Sequence, residues 1–184
     1  MISKKALVVI ADGTEELEAV TIIDVLRRAE ADVTVASVGA KEVTASRGVK
    51  LVADALISDC MDQTYDLIAL PGGMPGAEHL RDSSVLAQLL KAQAESGRLY
   101  AAICASPAVV LKTHGLLAGR KATCYPSMMS ELPNAEDARV VVDGNCITSQ
   151  GPGTALAFAL ELVKLLFGPE KSQEVAKAML AGRE

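Results

Sequence analysis

Cys104 is the residue of this chain whose type and setting best suit covalent chemistry. It ends the apolar run L-Y-A-A-I-C that starts at Leu99 and reads as a buried strand. Ser106 and Pro107 then offer the opening of a helix, since Pro is favoured in a first helical turn and Ser can cap one. A thiol at such a strand-to-helix corner stands above the sheet edge, and the unpaired N–H groups of the helix start lower its pKa. A free cysteine is equally a small hydrophobe that is commonly buried and inert. The loops around it decide between the two.

A nucleophile needs a group that moves protons, and the chain has only two histidines. His114 follows Cys104 by about ten residues, near the far end of the helix, which places it roughly 15 Å away at 1.5 Å per residue. It reads as a helix-end histidine beside Gly115. His79 follows Pro71-Gly72-Gly73 and reads as an exposed helix start, with a place in the site as the lesser alternative. A Cys-His-Asp triad is therefore poorly supported.

Acidic side chains are better placed. Glu15, Glu16 and Glu18 occupy the first turns of a helix that follows a strand, and for Glu15 and Glu16 the preferred reading is macrodipole compensation on a solvated face. Glu18, one turn in, is able to point across the cleft. Beside Cys104 in a poorly hydrated site the two acids would hold one proton between them, and a protonated Glu18 would serve as general acid or base in addition to a carbonyl. Gly72 and Gly73 carry no Cβ, so their N–H groups, with that of Ala105, are able to approach an oxyanion. A plain tight turn explains the same glycines equally well. Gly151-Pro152-Gly153 would shape a rim, and no G-x-G-x-x-G or Walker A pattern supports nucleotide binding.

The elements that must position these residues alternate. Residues 6 to 11 read as a strand, Glu15 to Ala29 as a helix with Ala19, Ile22, Ile23, Leu26 and Ala29 at helical spacing, and Asp32 to Val38 as a second strand. Val43 to Ala55 reads as short strands or a hairpin outside the main pattern. Asp66 to Leu70 is another strand, Ser83 to Ser96 a helix closed by Gly97, and then comes the Cys104 strand. Ala122 to Tyr125 and Val140 to Ser149 read as further strands, the latter folded at Asp143-Gly144. Gly151 to Thr154 opens a helix whose Leu156, Leu160, Val163 and Phe167 share a face, and Gly168-Pro169 starts a final one. The expectation is one domain over 1–184 with a doubly wound α/β fold, in which ligands bind outside the carboxyl ends of the strands.

Composition narrows the function. Half of the 184 residues are hydrophobic with few aromatics, which suits helices packed closely on a Val-rich sheet. A net charge of −5 without clustered Lys or Arg argues against a nucleic-acid or membrane-surface role. The N-terminal apolar run is too short for a signal peptide and ends at Asp12, so a soluble cytoplasmic protein is expected. Cys60, Cys104, Cys124 and Cys146 show no metal spacing and are expected as free thiols.

In order, A-D-G-T-E-E-L-E at the first turn, L-P-G-G at 70 to 73, A-A-I-C-A-S-P at 101 to 107 and T-S-Q-G-P-G-T at 148 to 154 resemble the ThiJ/PfpI superfamily. The likeness is nearest to the branch of the Parkinson's-disease-associated protein DJ-one and the bacterial YajL-type proteins. The resemblance implies a flavodoxin-like, mostly parallel sheet sandwiched by helices, usually a homodimer. It implies Cys104 as nucleophile bonded to a protonated Glu18, an oxyanion site of Gly72, Gly73 and Ala105, and a pocket lined by Glu15, Arg47 and Pro152. It further implies a cofactor-independent glyoxalase or deglycase acting on methylglyoxal, glyoxal or their adducts on proteins and nucleotides, or an oxidative-stress sensor and chaperone. Two departures stand out. Ala105 follows the cysteine where the peptidase-like branch has His, which counts against proteolysis. Tyr125 precedes Pro126 where the human-type pattern has His, so proton traffic falls on Glu18 or on Tyr125.

Overall fold

Runs that are apolar on both faces become the central strands, because only a sheet covered by helices on each side hides both. The computed structural model describes residues 4–181; Met1 to Ser3 of the N-terminal stretch and 182–184 lie outside the described residues. The strands are β1 (Lys5–Ile10), β2 (Asp32–Ser37), β3 (Glu42–Thr44), β4 (Lys50–Val52), β5 (Ala55–Leu56), β6 (Leu67–Leu70), β7 (Leu99–Ile103), β8 (Val140–Asp143) and β9 (Cys146–Ser149). The helices are α1 (Glu16–Arg28), α2 (Gly76–Asp82), α3 (Ser84–Glu95), α4 (Ala155–Phe167) and α5 (Pro169–Ala178).

Seven strands form one sheet in the order β5-β2-β1-β6-β7-β9-β8, and β3 and β4 form a separate antiparallel hairpin. Every pairing in the main sheet is parallel except β8 with β9. The central order is that of a flavodoxin-like fold, and chain direction across the sheet reverses between β1 and β6, where the loops splay and leave a crevice. One core lies under α1, α4 and α5 and includes Val8, Ile22, Leu26, Phe158 and Leu162. The other lies under α2 and α3 and includes Leu7, Leu70, Leu80, Leu86 and Leu90. Full burial of each such side chain contributes about 1.5–3 kcal/mol. Among the described residues no helix is long and apolar enough to cross a membrane.

Four expectations change. Ala122 to Tyr125 is not a strand of the sheet: it meets Ala135 at one isolated bridge, because β8 already occupies the free edge of β9. The segment after Cys104 is a π-helix over Pro107–Leu111, with Lys112 N–H donating to the Pro107 carbonyl at 3.0 Å, and Ser106 makes no cap. The short helix α2, which carries His79, stood out in no periodic pattern. In α4 the fully buried stripe is Ala155, Phe158, Ala159, Leu162, Val163 and Leu166, while Leu156, Leu160 and Phe167 are only partly buried against the same core.

Candidate active site

Three loops at the carboxyl ends of β1, β6 and β7 are bolted to one another through backbone. After β1, Thr14 Oγ1 accepts from Ala11 N–H at 2.9 Å, and Glu15 N–H donates to the Gly72 carbonyl at 2.9 Å. Gly13 and Gly73 hold positive φ (+82° and +89°), and a β-carbon on Gly13 would lie 2.6 Å from Pro75 Cδ. A β-carbon on Gly72 would lie 2.6 Å from Cys104 Cβ, so glycine there is what lets the β6 loop reach the cysteine. Ser106 Oγ donates to the Pro71 carbonyl at 2.6 Å and ties the third loop in.

Cys104 itself has φ +65°, a left-handed conformation rare outside glycine. Holding a residue other than glycine there costs about 1–3 kcal/mol, which the surrounding bonds must over-determine. Its N–H donates to the Ser149 carbonyl at 3.0 Å, continuing the β7–β9 ladder, and its carbonyl accepts from Tyr125 N–H at 2.8 Å. The backbone is thus pinned on both sides while the side chain turns off the strand, the geometry of a nucleophile elbow. Cys104 is partly exposed, whereas Cys60, Cys124 and Cys146 are buried.

Glu18 is fully buried on α1, and its Oε2 accepts from Gly72 N–H at 2.7 Å. Its Oε1 is buried with no hydrogen-bond partner among the described residues. Burial pushes Glu18 up to about 7, against its bonds to Gly72 N–H and to the Cys104 side chain. Burial, and then the Glu18 charge, push the thiol up to about 12, against N–H groups of Gly73 and Ala105 directed at the sulfur. The helix start therefore does not lower the thiol on its own. Near neutrality the pair loses the first of its two protons; where the one that remains rests on Glu18 the repulsion disappears and the two N–H groups face a thiolate. The Gly72 N–H, grouped above with the oxyanion donors, is occupied by Glu18, which leaves Gly73 and Ala105.

The sulfur lies in the wall of a cavity of about 460 Å³ that is also lined by Glu15, Arg47, Gly73, Ala105, Tyr125 and Pro152. With Cys104, seven positions singled out from sequence thus meet in one place, and Gly72 stands behind them. Ser46, Met74, Ser127 and Met128 also line it and were not foreseen, because nothing in their local sequence marks the β3–β4 turn or the segment after Pro126 as neighbours of Cys104. Glu16 corrects the solvated-face reading. It is 9% exposed, and its carboxylate accepts from Ser46 Oγ (2.9 Å), Arg47 N–H (2.8 Å) and Val49 N–H (3.4 Å). Burial opposes its ionisation, but these bonds and that of its own N–H outweigh it and hold the carboxyl below its ordinary value. Glu15 Oε2 accepts from Ser46 Oγ at 2.7 Å, so both acids fasten the turn that carries Arg47. Neither histidine lines the cavity. His79 Nδ1 bonds the Asp12 carbonyl at 2.9 Å beside a separate cavity of about 600 Å³, and His114 Nε2 bonds the Arg81 carbonyl at 2.9 Å.

A doubly wound α/β sandwich with a cysteine on a left-handed corner, backed by a buried carboxyl, defines a class of cysteine-centred flavodoxin-like proteins. Comparison with known proteins gives the family: residues 4–165 match the DJ-1/PfpI family, and the chain belongs to it. It is 56% identical over 177 residues to Protein DJ-1 homolog B of Arabidopsis thaliana, across 95% of this chain and 40% of that relative. It therefore spans less than half the length of that relative. It is 38% identical over 181 residues to the glutathione-independent glyoxalase DJR-1.2 of Caenorhabditis elegans, across 96% of each. The structure of oxidized Toxoplasma gondii DJ-1 superposes with a TM-score of 0.97 at 50% identity, covering 98% of this chain and all of that one.

Proposed function

We propose that the chain is a cysteine-dependent glyoxalase and deglycase that needs no cofactor. It would act in the cytoplasm on methylglyoxal, glyoxal and their early adducts on proteins and nucleotides, and so protect against carbonyl and oxidative stress. The observation that carries this reading is the partly exposed sulfur in the cavity wall beside a buried carboxyl whose Oε1 has no partner. In the first step the Cys104 thiolate adds to the aldehyde carbon: a C–S bond forms, and the carbonyl π pair moves to oxygen beside the Gly73 and Ala105 N–H groups. Glu18 gives its proton to that oxygen, and as carboxylate takes the hydrogen of C1 as a proton. The freed pair makes an enediolate with its charge on the C2 oxygen; that oxygen takes the proton of the C1 hydroxyl while Glu18 returns the other proton to C2, which leaves a thioester. Water cleaves the thioester, releasing the 2-hydroxy acid and restoring the thiol. C1 is oxidised and C2 reduced, so the sum is aldehyde plus water. The name of the Caenorhabditis elegans relative supports this chemistry. Purified protein given methylglyoxal without glutathione should release lactate; no lactate would end the glyoxalase reading.

A second reading, a redox sensor and chaperone, is favoured by the exposure of one thiol in four. Peroxide would take Cys104 to the sulfenic and then the sulfinic state, two equivalents each supplying one oxygen, and Glu18 would hydrogen-bond the product. Peptide mass mapping during peroxide titration should find oxygen on Cys104 before Cys60, Cys124 or Cys146. Another order would remove the sensor.

The chain would work as a homodimer. Leu17 and Val20 on α1 and Val49 and Val52 on the hairpin are exposed, and the Glu16 bond to Val49 N–H brings these two elements together. Asp24, Arg27 and Arg28 pair within the chain, Asp24 with Arg28 at 2.7 Å and Arg27 with Asp54 at 3.3 Å, and so leave the apolar strip to form the contact. Light scattering at micromolar concentration should give twice the chain mass, and Val52→Glu should halve it. A wild-type chain at the mass of one copy would remove the dimer.

A further inference from the structure

We propose that the Cys104 cavity selects 2-oxoaldehydes carrying an aromatic or branched apolar substituent on the ketone carbon, and that Tyr125 determines this specificity. The inference rests on the glyoxalase reading above and deepens it. The space is about 460 Å³. A three-carbon oxoaldehyde displaces roughly three waters, ~100 Å³ at the water volume of the liquid, so methylglyoxal leaves most of the cavity wet.

The lining is of two kinds. Glu15, Ser46 and Arg47, joined through the Glu15 and Glu16 bonds to the hairpin turn, are polar, whereas Met74, Tyr125, Met128 and Pro152 are apolar, with Ser127 the one hydroxyl among them. Tyr125 is 46% exposed and Met74 45%, both far from the burial usual for such side chains, and both line this cavity. Tyr125 is also fixed. Its N–H is bonded to the carbonyl of Cys104, and its own carbonyl accepts from Met128 N–H at 2.8 Å. Its ring lies on the bare face of Gly151, where a β-carbon would already be 3.4 Å from Cδ2. A ring whose backbone is tied to the nucleophile's own, in a cavity that two adaptable thioethers also line, is a surface for a flat or branched apolar group. The aldehyde carbon meets the sulfur while the substituent on the neighbouring carbon meets this wall.

The test compares phenylglyoxal, read as mandelate, with methylglyoxal, read as lactate, on the purified chain without glutathione. The kcat/KM ratio of phenylglyoxal to methylglyoxal should be at least about ten, within the range that apolar pockets achieve. It should fall about tenfold in Tyr125→Ala, mainly through KM for phenylglyoxal, and should persist in Tyr125→Phe, because the ring and not the hydroxyl makes the wall. A second readout works without turnover: phenylglyoxal should protect Cys104 from iodoacetamide at about one-tenth the concentration of methylglyoxal, an advantage lost in Tyr125→Ala. Methylglyoxal turnover with a ratio at or below one, or a ratio and protection untouched by Tyr125→Ala, would overturn the specificity while leaving the glyoxalase reading in place. Absence of product from both aldehydes with the protection pattern intact would overturn the glyoxalase reading and leave the apolar wall standing.

Discussion

Cys104→Ser should lower lactate formation from methylglyoxal by at least about a thousandfold, the scale on which loss of a nucleophile is felt when other members of a site stay in place. The substitution changes one atom. Serine keeps the left-handed corner, the Ser149 and Tyr125 backbone bonds and the Gly73 and Ala105 donors, so binding and oxyanion stabilisation survive. What is lost is the anion. Glu18 titrates near neutrality and is able to share a proton with a thiol, but a hydroxyl is far too weak an acid to give its proton up at that pH. Urea unfolding of the variant should show a stability close to wild type, separating chemistry from folding. Turnover within tenfold of wild type would mean that Cys104 is not the nucleophile.

The sequence carries the places where strands stop better than the shapes they stop in. Turn residues at Asp12-Gly13, Pro71-Gly72-Gly73 and Gly151-Pro152-Gly153 are legible because each backbone conformation has a residue type that favours it, and a parallel sheet brings those turns to one edge. Cys104 at φ +65° is illegible for the converse reason: nothing in A-I-C-A-S announces a left-handed cysteine, since contacts distant in sequence impose it. Glu16 was misread because helix position alone does not distinguish an acid facing water from one receiving the backbone of residues 47 and 49. Ala122 to Tyr125 has strand composition, yet pairing needs a free edge, and strand order across a sheet is not written locally. Glu18 was legible only in part. Its spacing points it inward, whereas its bond to Gly72 N–H depends on a loop more than fifty residues away, by about the length of several elements.

Glu18→Gln should move the pH profile of Cys104 alkylation upward and slow the reaction at pH 7 by about tenfold, since a protonated carboxyl is a stronger donor to a thiolate than an amide and each unit in pKa is a factor of ten in thiolate. In the wild type the first proton leaves the pair at about 7, where burial has pushed Glu18, and the remaining proton moves between oxygen and sulfur. Thiolate forms near neutrality to the extent that this proton rests on the carboxyl, where it can be donated to sulfur. Glutamine keeps the volume, an oxygen for Gly72 N–H and an amide N–H on the other side, but it has no acidic proton to exchange with sulfur, so the thiol must ionise against its own burial without that exchange. Stability should respond with a definite sign. Between the ordinary value of 4.5 and about 7 the folded chain binds the Glu18 proton that the unfolded chain has released, so wild-type stability falls as pH rises through that window, by about 3 kcal/mol. The glutamine variant should lack this slope, and urea midpoints at pH 5 and pH 8 would read it. A variant alkylated as fast as wild type at pH 7 would show that the carboxyl does not activate the sulfur, and a slope that survives the substitution would place the titrating group elsewhere.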